Sequence, residues 1–262
     1  MLLLPQRRNS NRSHNNFREK SEFVPGVFHK VEQPAHYFEN FFAIETMLMK
    51  IKEMYVSVLP HLLPDTDRRL TDEQKRMDFD NSMIGPPSVL LMDFLRGDKD
   101  TRLLCEKVRS IRNANSRRDA VVRLMPHAII PVKVWSRDFS RLPEEYVKSY
   151  NRLIALEFPV GDDRTRIIAV LKSKPWVLYI TLSADGECVI AIVPLDNDDW
   201  RRHGHYFDAL RSEFGRYGFA VNESCSSLTA MIAQTYDTQA WFNGNCVLYS
   251  LPRSFGNGDK ED

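Results

Sequence analysis

One carboxylate stands where chemistry is expected. The run Tyr150-Asn-Arg-Leu-Ile-Ala-Leu-Glu157 reads as a strand with Glu157 at its end, and an acid at a strand end is a candidate general base or metal ligand. A second feature is cationic. Lys107, Arg109, Arg112, Arg117, Arg118 and Arg123 face a single acid, Asp119, between positions 107 and 123. Such a stretch is either a solvated helix face or a set of phosphate contacts. Two further patterns carry no site. His203-x-His205 falls on a helical pattern, where i and i+2 diverge by about 200°. Asp196-Asn-Asp-Asp199 lacks the glycine that a calcium loop needs at its sixth position, which is Arg201. The sequence contains no Walker loop, Gly-x-Ser-x-Gly elbow or His-Glu-x-x-His helix.

Composition limits the classes. The chain has 262 residues, 43% apolar and 27% charged, which suits a globular domain with a sizeable core. No apolar run reaches the roughly 20 residues of a membrane span. Met1-Leu-Leu-Leu4 is too short for a signal-peptide core. Four scattered cysteines, Cys105, Cys188, Cys225 and Cys246, show no zinc or redox spacing, so reduced thiols and a cytoplasmic location are expected. A net charge of +1 leaves any nucleic-acid face to local clustering.

The elements that must position these groups follow from periodicity. Residues 1–22 read as a disordered basic tail, a solvated terminus or a nucleic-acid arm. The 23–97 block reads as a helical N-terminal extension, packed on the rest of the chain or on a replication partner through residues 35–97. Its main helix is expected over Ala35–Val58, with a short capped helix at Thr71–Gln74 and another from Ser88 to Leu95, stopped by Gly97. Helices are expected from Asp100 to Asn113 and from a Ser116-x-x-Asp119 capping box through Leu124. Strands are expected at Ala128–Val134 (with Pro131 marking an edge or bulge), Leu153–Phe158, Trp176–Leu182 and Cys188–Val193. Asp162 or Asp163 should cap a short helix before Pro175. The clearest helix follows Asp199, with Trp200, His203, Phe207, Leu210, Phe214 and Tyr217 on one face and Gly218 as its stop. Phe219–Val221, Ala230–Gln234, Trp241–Phe242 and Cys246–Leu251 complete the strand candidates, and 253–262 is a loose tail. The class is α+β, a mixed and mostly antiparallel sheet with helices packed on it.

Four segments in this order resemble a known family. They are Arg123-Leu-Met-Pro126 through Pro131, Tyr150 through Glu157-Phe-Pro159, Thr181-Leu-Ser183-Ala-Asp-Gly186-Glu-Cys188, and Asn222-Glu-Ser-Cys225 through Tyr236-Asp237 and Asn243. Together they are similar to the primase-like N-terminal domain of the virulence-associated protein E group, a branch of the archaeo-eukaryotic primase superfamily carried by mobile elements and phages. The resemblance covers 98–252 and implies a primase-like, RRM-like core. It also implies templated nucleotidyl transfer, with strand-end carboxylates holding two divalent metals, a basic side chain gripping the triphosphate and a small-residue turn admitting phosphates.

This chain departs from that pattern where the chemistry lies. Glu157 replaces the first acid, Pro159 the second, Cys188 the basic triphosphate contact, Asn222 the later acid and Ala230 the midway arginine. Ser183 and Gly186 remain of the nucleotide turn. Glu223, next to Asn222, should face away on a strand. The expectation is therefore a catalytically degenerate domain with no metal, binding nucleic acid through the 107–123 cations as a replication accessory protein. Two alternatives stay open: an active Mg- or Mn-dependent primase with relocated ligands, or a protein-interaction module that binds no nucleic acid.

Overall fold

A computed structural model describes residues 51–59, 86–136, 142–161 and 163–252. The basic tail, most of the 35–58 helix, the Thr71–Gln74 cap, Asp162 and the 253–262 tail lie outside the described residues. Among the described residues, two antiparallel four-stranded sheets and six named α-helices make the fold α+β.

The strands are β1 (Tyr55–Leu59), β2 (Ser88–Leu90), β3 (His127–Ile129), β4 (Val132–Val134), β5 (Val147–Tyr150), β6 (Leu153–Pro159), β7 (Tyr179–Leu182), β8 (Cys188–Pro194), β9 (Met231–Ala233) and β10 (Trp241–Phe242). The helices are α1 (Leu91–Arg96), α2 (Lys99–Arg109), α3 (Ala114–Leu124), α4 (Pro143–Tyr146), α5 (Arg164–Lys172) and α6 (His203–Gly215). One sheet runs β10-β7-β8-β6, the other β2-β1-β3-β9, and β4 pairs with β5 apart from both.

The β10-β7-β8-β6 sheet is buried on both faces, which explains why Cys188–Pro194 reads as a continuous apolar run rather than an alternating one. Val189, Ala191 and Val193 pack with Ile154, Leu156 and Phe158 against α5 and α6, whose Leu171, Phe207, Leu210 and Phe214 complete that core. Ile190 and Ile192 point the other way, with Leu153 and Ala155, onto Val56, Ala128 and Ile232 of the second sheet and onto α1. Alternation along β6 sets the outcome for the site. Glu157 and Pro159 share the face of Leu153 and Ala155, so the carboxylate lies on the side of the second sheet.

The N-terminal block departs most from expectation. Ile51 and Lys52 are helical, but Tyr55–Leu59 is a strand, bonded to β2 on one side and to β3 on the other. The three- and four-residue spacing of apolar residues there fits strand burial equally well once Val56, Val58 and Leu59 are all covered. Ser88–Leu90 likewise pairs as β2 before α1 begins at Leu91. Within its described residues, then, the 23–97 block contributes strands to a shared sheet rather than forming a helical extension. Gly97 does end α1, at φ 60°, and its α-carbon lies so close to the Thr235 carbonyl that an added Cβ would come within 2.6 Å of that oxygen.

Other boundaries moved for local reasons. Asn113, not Ser116, caps α3, accepting from the Ser116 amide at 2.9 Å. Pro131 ends β3, and β4 turns away to pair with β5. The Asn151 amide and side chain bond the carbonyls of Pro131 and Ile130 at this break. Asp163 precedes α5 without a side-chain cap bond. The 200–217 segment starts as a 3₁₀ turn, Trp200–Arg202, capped by Asp199, before α6. Phe219–Val221 forms no strand, the Phe219 amide donating back to the Phe214 carbonyl at 3.3 Å, and Glu223–Ser226 is a 3₁₀ turn. In place of a strand at 246–251, one parallel bridge joins Leu195 to Tyr249.

Candidate functional site

Antiparallel register puts Pro159 directly opposite Cys188 and Glu157 opposite Ile190. Asn222 reaches the same place from the loop after α6. Its backbone amide donates to the Glu157 carbonyl at 3.0 Å, and its side-chain Nδ2 donates to Glu157 Oε2 at 2.9 Å. The same Nδ2 lies 4.0 Å from Cys188 Sγ. Glu157, Pro159, Cys188 and Asn222, separated by up to 65 positions in the chain, therefore line one cavity of about 440 Å³ with Arg118. A second cavity of similar size is lined by Glu157 together with His127, Cys225 and Ala230.

Burial raises the Glu157 pKa above the ordinary carboxylate value, and the charge of Asp185 adds to this, while the Asn222 bond pulls the other way. Burial also pushes the Cys188 thiol up to about 12, with the Glu157 charge reinforcing it, so Cys188 is a neutral thiol at physiological pH and not a nucleophile.

The turn beside the cavity is held by its own side chains and by α2. Gly186 adopts φ 80°, and its amide closes the turn on the Ser183 carbonyl at 2.9 Å. The Ser183 hydroxyl donates to Asp185 Oδ1 at 2.6 Å and accepts from the Cys188 amide at 2.9 Å. Arg109 donates to the carbonyls of Ala184 and Ser183 at 3.1 and 2.9 Å. Arg117 pairs with Glu187 and donates to the Ile111 carbonyl. The sequence groups all six cations as one basic stretch, either a solvated face or a set of phosphate contacts. The structure divides them: half-buried Arg109 and Arg117 clamp the turn, while Lys107, Arg112, Arg118 and Arg123 are exposed. Nothing in the local sequence distinguishes a clamp from a free cation, because the partners lie about 70 positions away.

In the Tyr236-Asp237 and Asn243 close, two side chains hold backbone groups around β7. Asp237 Oδ2 accepts from the Leu182 amide at 3.0 Å, and Asn243 Nδ2 donates to the carbonyls of Pro175 and Val177 at 3.2 Å each. Both side chains satisfy backbone groups at the ends of β7, where ladder partners run out. Glu223 is exposed and pairs with Arg211 at 2.5 Å, away from Glu157. His203 is buried and His205 exposed, so the two imidazoles diverge as helix geometry requires.

The residues present do not fit a two-metal centre. Glu157, Asp185 and Glu187 all border the Arg118 cavity, yet Asp185 is bound within its turn and Glu187 is paired with Arg117. Glu157 accepts from an amide where a second ligand would be needed, and Pro159 offers no donor atom. Among the described residues no group of three or more His, Cys, Asp or Glu side chains has a metal-holding arrangement. No helix among them is long and apolar enough to cross a membrane. Compared with models of known protein families, with curated proteins and with solved structures, the chain matches none.

Proposed function

We propose that this chain is a catalytically degenerate primase-like domain that binds nucleic acid as a replication accessory of a mobile element or phage. One observation carries the reading. Four of the five positions singled out by the resemblance, Glu157, Pro159, Cys188 and Asn222, meet at one cavity beside the Ser183–Gly186 turn, and the Asn222 amide hydrogen-bonds the carboxylate. Two facing acids need a metal or a shared proton between them. An acid facing an amide needs neither, so this arrangement is self-sufficient without the metals that nucleotidyl transfer requires. The exposed cations around it supply the nucleic-acid contact: Arg118 at the cavity wall, with Lys107, Arg112 and Arg123 nearby in the chain.

The test joins two assays. Primer synthesis and nucleotide extension are expected to be absent with Mg²⁺ or Mn²⁺. Binding to duplex DNA is expected to weaken steeply with salt. Changing Arg112, Arg118 and Arg123 together to Ala should lower the log–log salt slope by roughly 2–3, at about 0.9 per phosphate contact. Arg109 and Arg117 are left intact because their loss would disturb the turn. Metal-dependent synthesis abolished by Glu157→Ala would restore the active-enzyme reading. Absent or salt-insensitive binding would leave a protein-interaction module.

A further inference from the structure

β1, β4 and β5 build a second surface that joins aromatic rings to cations. Val132 and Val134 are buried, Lys133 between them is half-buried, and Trp135 lies at the bend that follows β4. Trp135 is 57% exposed and Tyr55 46% exposed. Lys133 Nζ lies 5.5 Å from the Tyr55 ring centre, and Lys148 Nζ lies 4.0 Å above the Trp135 ring. The backbone beneath is tied down: the Trp135 amide donates to the Tyr146 carbonyl at 2.9 Å, and the Val134 amide to the Ser57 hydroxyl at 3.1 Å. The rings are thus presented on a fixed frame.

We infer that the face carrying Tyr55, Lys133, Trp135 and Lys148 docks single-stranded nucleic acid, with bases stacked on the two rings and phosphates met by the two lysines. Lysines on a two-stranded sheet also discourage strand addition, but that gives no reason to expose an indole. The pairing of each ring with a cation sets the occupant's chemistry. Neither lysine meets a carboxylate among the described residues, and a cation beside an aromatic ring suits an anionic partner with flat faces. Glu144, on the adjoining α4, is instead paired with Arg201 at 3.6 Å. An exposed cation–π contact is worth about 0.5–1 kcal/mol, and base–aromatic stacking about 1–3 kcal/mol per base. A base can therefore displace the ammonium from the ring and leave it beside the adjoining phosphate. Duplex bases are already stacked and cannot do this.

The inference shares with the proposed function only the premise that the chain handles nucleic acid, and it rests on different residues. Binding is measured for a labelled oligothymidine of about 20 nucleotides, an abasic strand of equal length and a duplex, a span set by typical single-strand site sizes. Trp135→Ala and Tyr55→Ala should each weaken oligothymidine binding roughly 5- to 150-fold, from the stacking range. Trp135→Phe should keep most of the affinity, and no ring variant should alter binding to the abasic strand or the duplex. Because both rings are exposed, these variants should melt like the parent, which thermal unfolding checks. Unchanged oligothymidine affinity in both alanine variants overturns the inference, as does equal parental affinity for the abasic strand. If the three-arginine variant alone loses binding, the proposed interface stands and this face falls. If only the ring variants lose binding, this face stands and the arginine interface falls. No binding by the parent chain removes both.

Discussion

Asn222→Asp is expected to destabilise the fold by about 2–4 kcal/mol near pH 8, read as a lower urea midpoint with an unchanged slope. The substitution is isosteric, so packing is preserved and the change is electrostatic. The side chain of Asn222 now donates to Glu157 Oε2 at 2.9 Å; an aspartate there has no proton to give and sets a second negative charge against a carboxylate whose pKa burial already raises. Two acids at this distance share one proton, and the pair's pKa rises further. The penalty should therefore be largest in alkaline buffer and shrink as acid supplies the shared proton. Millimolar Mn²⁺ should recover part of the lost stability in the variant and leave the parent unchanged, because only the variant offers two facing carboxylates. A variant as stable as the parent near pH 8 would show that the amide–carboxylate bond does not hold this site.

That bond could not be read from the sequence, although its two residues could. Glu157 and Asn222 were both singled out beforehand, through the resemblance and, for Glu157, through its place at a strand end. What the sequence lacked was distance: an asparagine 65 positions from a glutamate carries no sign that its amide will be the carboxylate's donor. The basic stretch shows the same limit. Six cations within 17 positions suggest a charged face, but the turn at 183–187 draws Arg109 and Arg117 inward and leaves the other four exposed. The aromatic face of Tyr55 and Trp135 gave no sequence signal, since single exposed rings look like core residues until burial is known.

Fold elements were legible where local physics decides them. The face of α6, with His203, Phe207, Leu210 and Phe214, follows from three- and four-residue spacing. The β7–β8 pair follows from two apolar runs flanking Asp185-Gly186. Elements that depend on distant partners were not. β1 exists because β2 and β3 supply hydrogen-bond partners on both sides, and its apolar residues alone suit a helix equally well. β5 was missed because Val147-Lys-Ser-Tyr150 has little strand composition and pairs with β4 across a register shift.

His203 should make this protein acid-sensitive. Its ring sits at the start of α6, 1% exposed, with Nδ1 at 3.0 Å from the Tyr150 hydroxyl and Nε2 without a hydrogen-bond partner. Asn197 Nδ2 donates to that hydroxyl at 3.3 Å, so the phenol can donate to Nδ1 and hold the imidazole neutral. Burial alone pushes the imidazole pKa down to about 4 from an ordinary 6.5. In the unfolded chain the ring takes up its proton near pH 6.5; in the folded chain it does so only near 4. Between these values the unfolded state binds more protons, so stability falls as pH falls, and the contribution is complete above about 6.5 and lost by about 4. At about 1.4 kcal/mol per unit, the loss across this window is about 3 kcal/mol. Glu157 acts with the opposite sign, because its raised pKa means that acid relieves the cost of burying its charge. The comparison must therefore be made against a variant that changes His203 alone. Urea unfolding near pH 8 and near pH 4.5 should show His203→Gln losing about 2–3 kcal/mol less than the parent between the two conditions, whatever its stability at the higher pH. Equal pH dependence in the two proteins would mean that the imidazole is not held neutral in the folded chain.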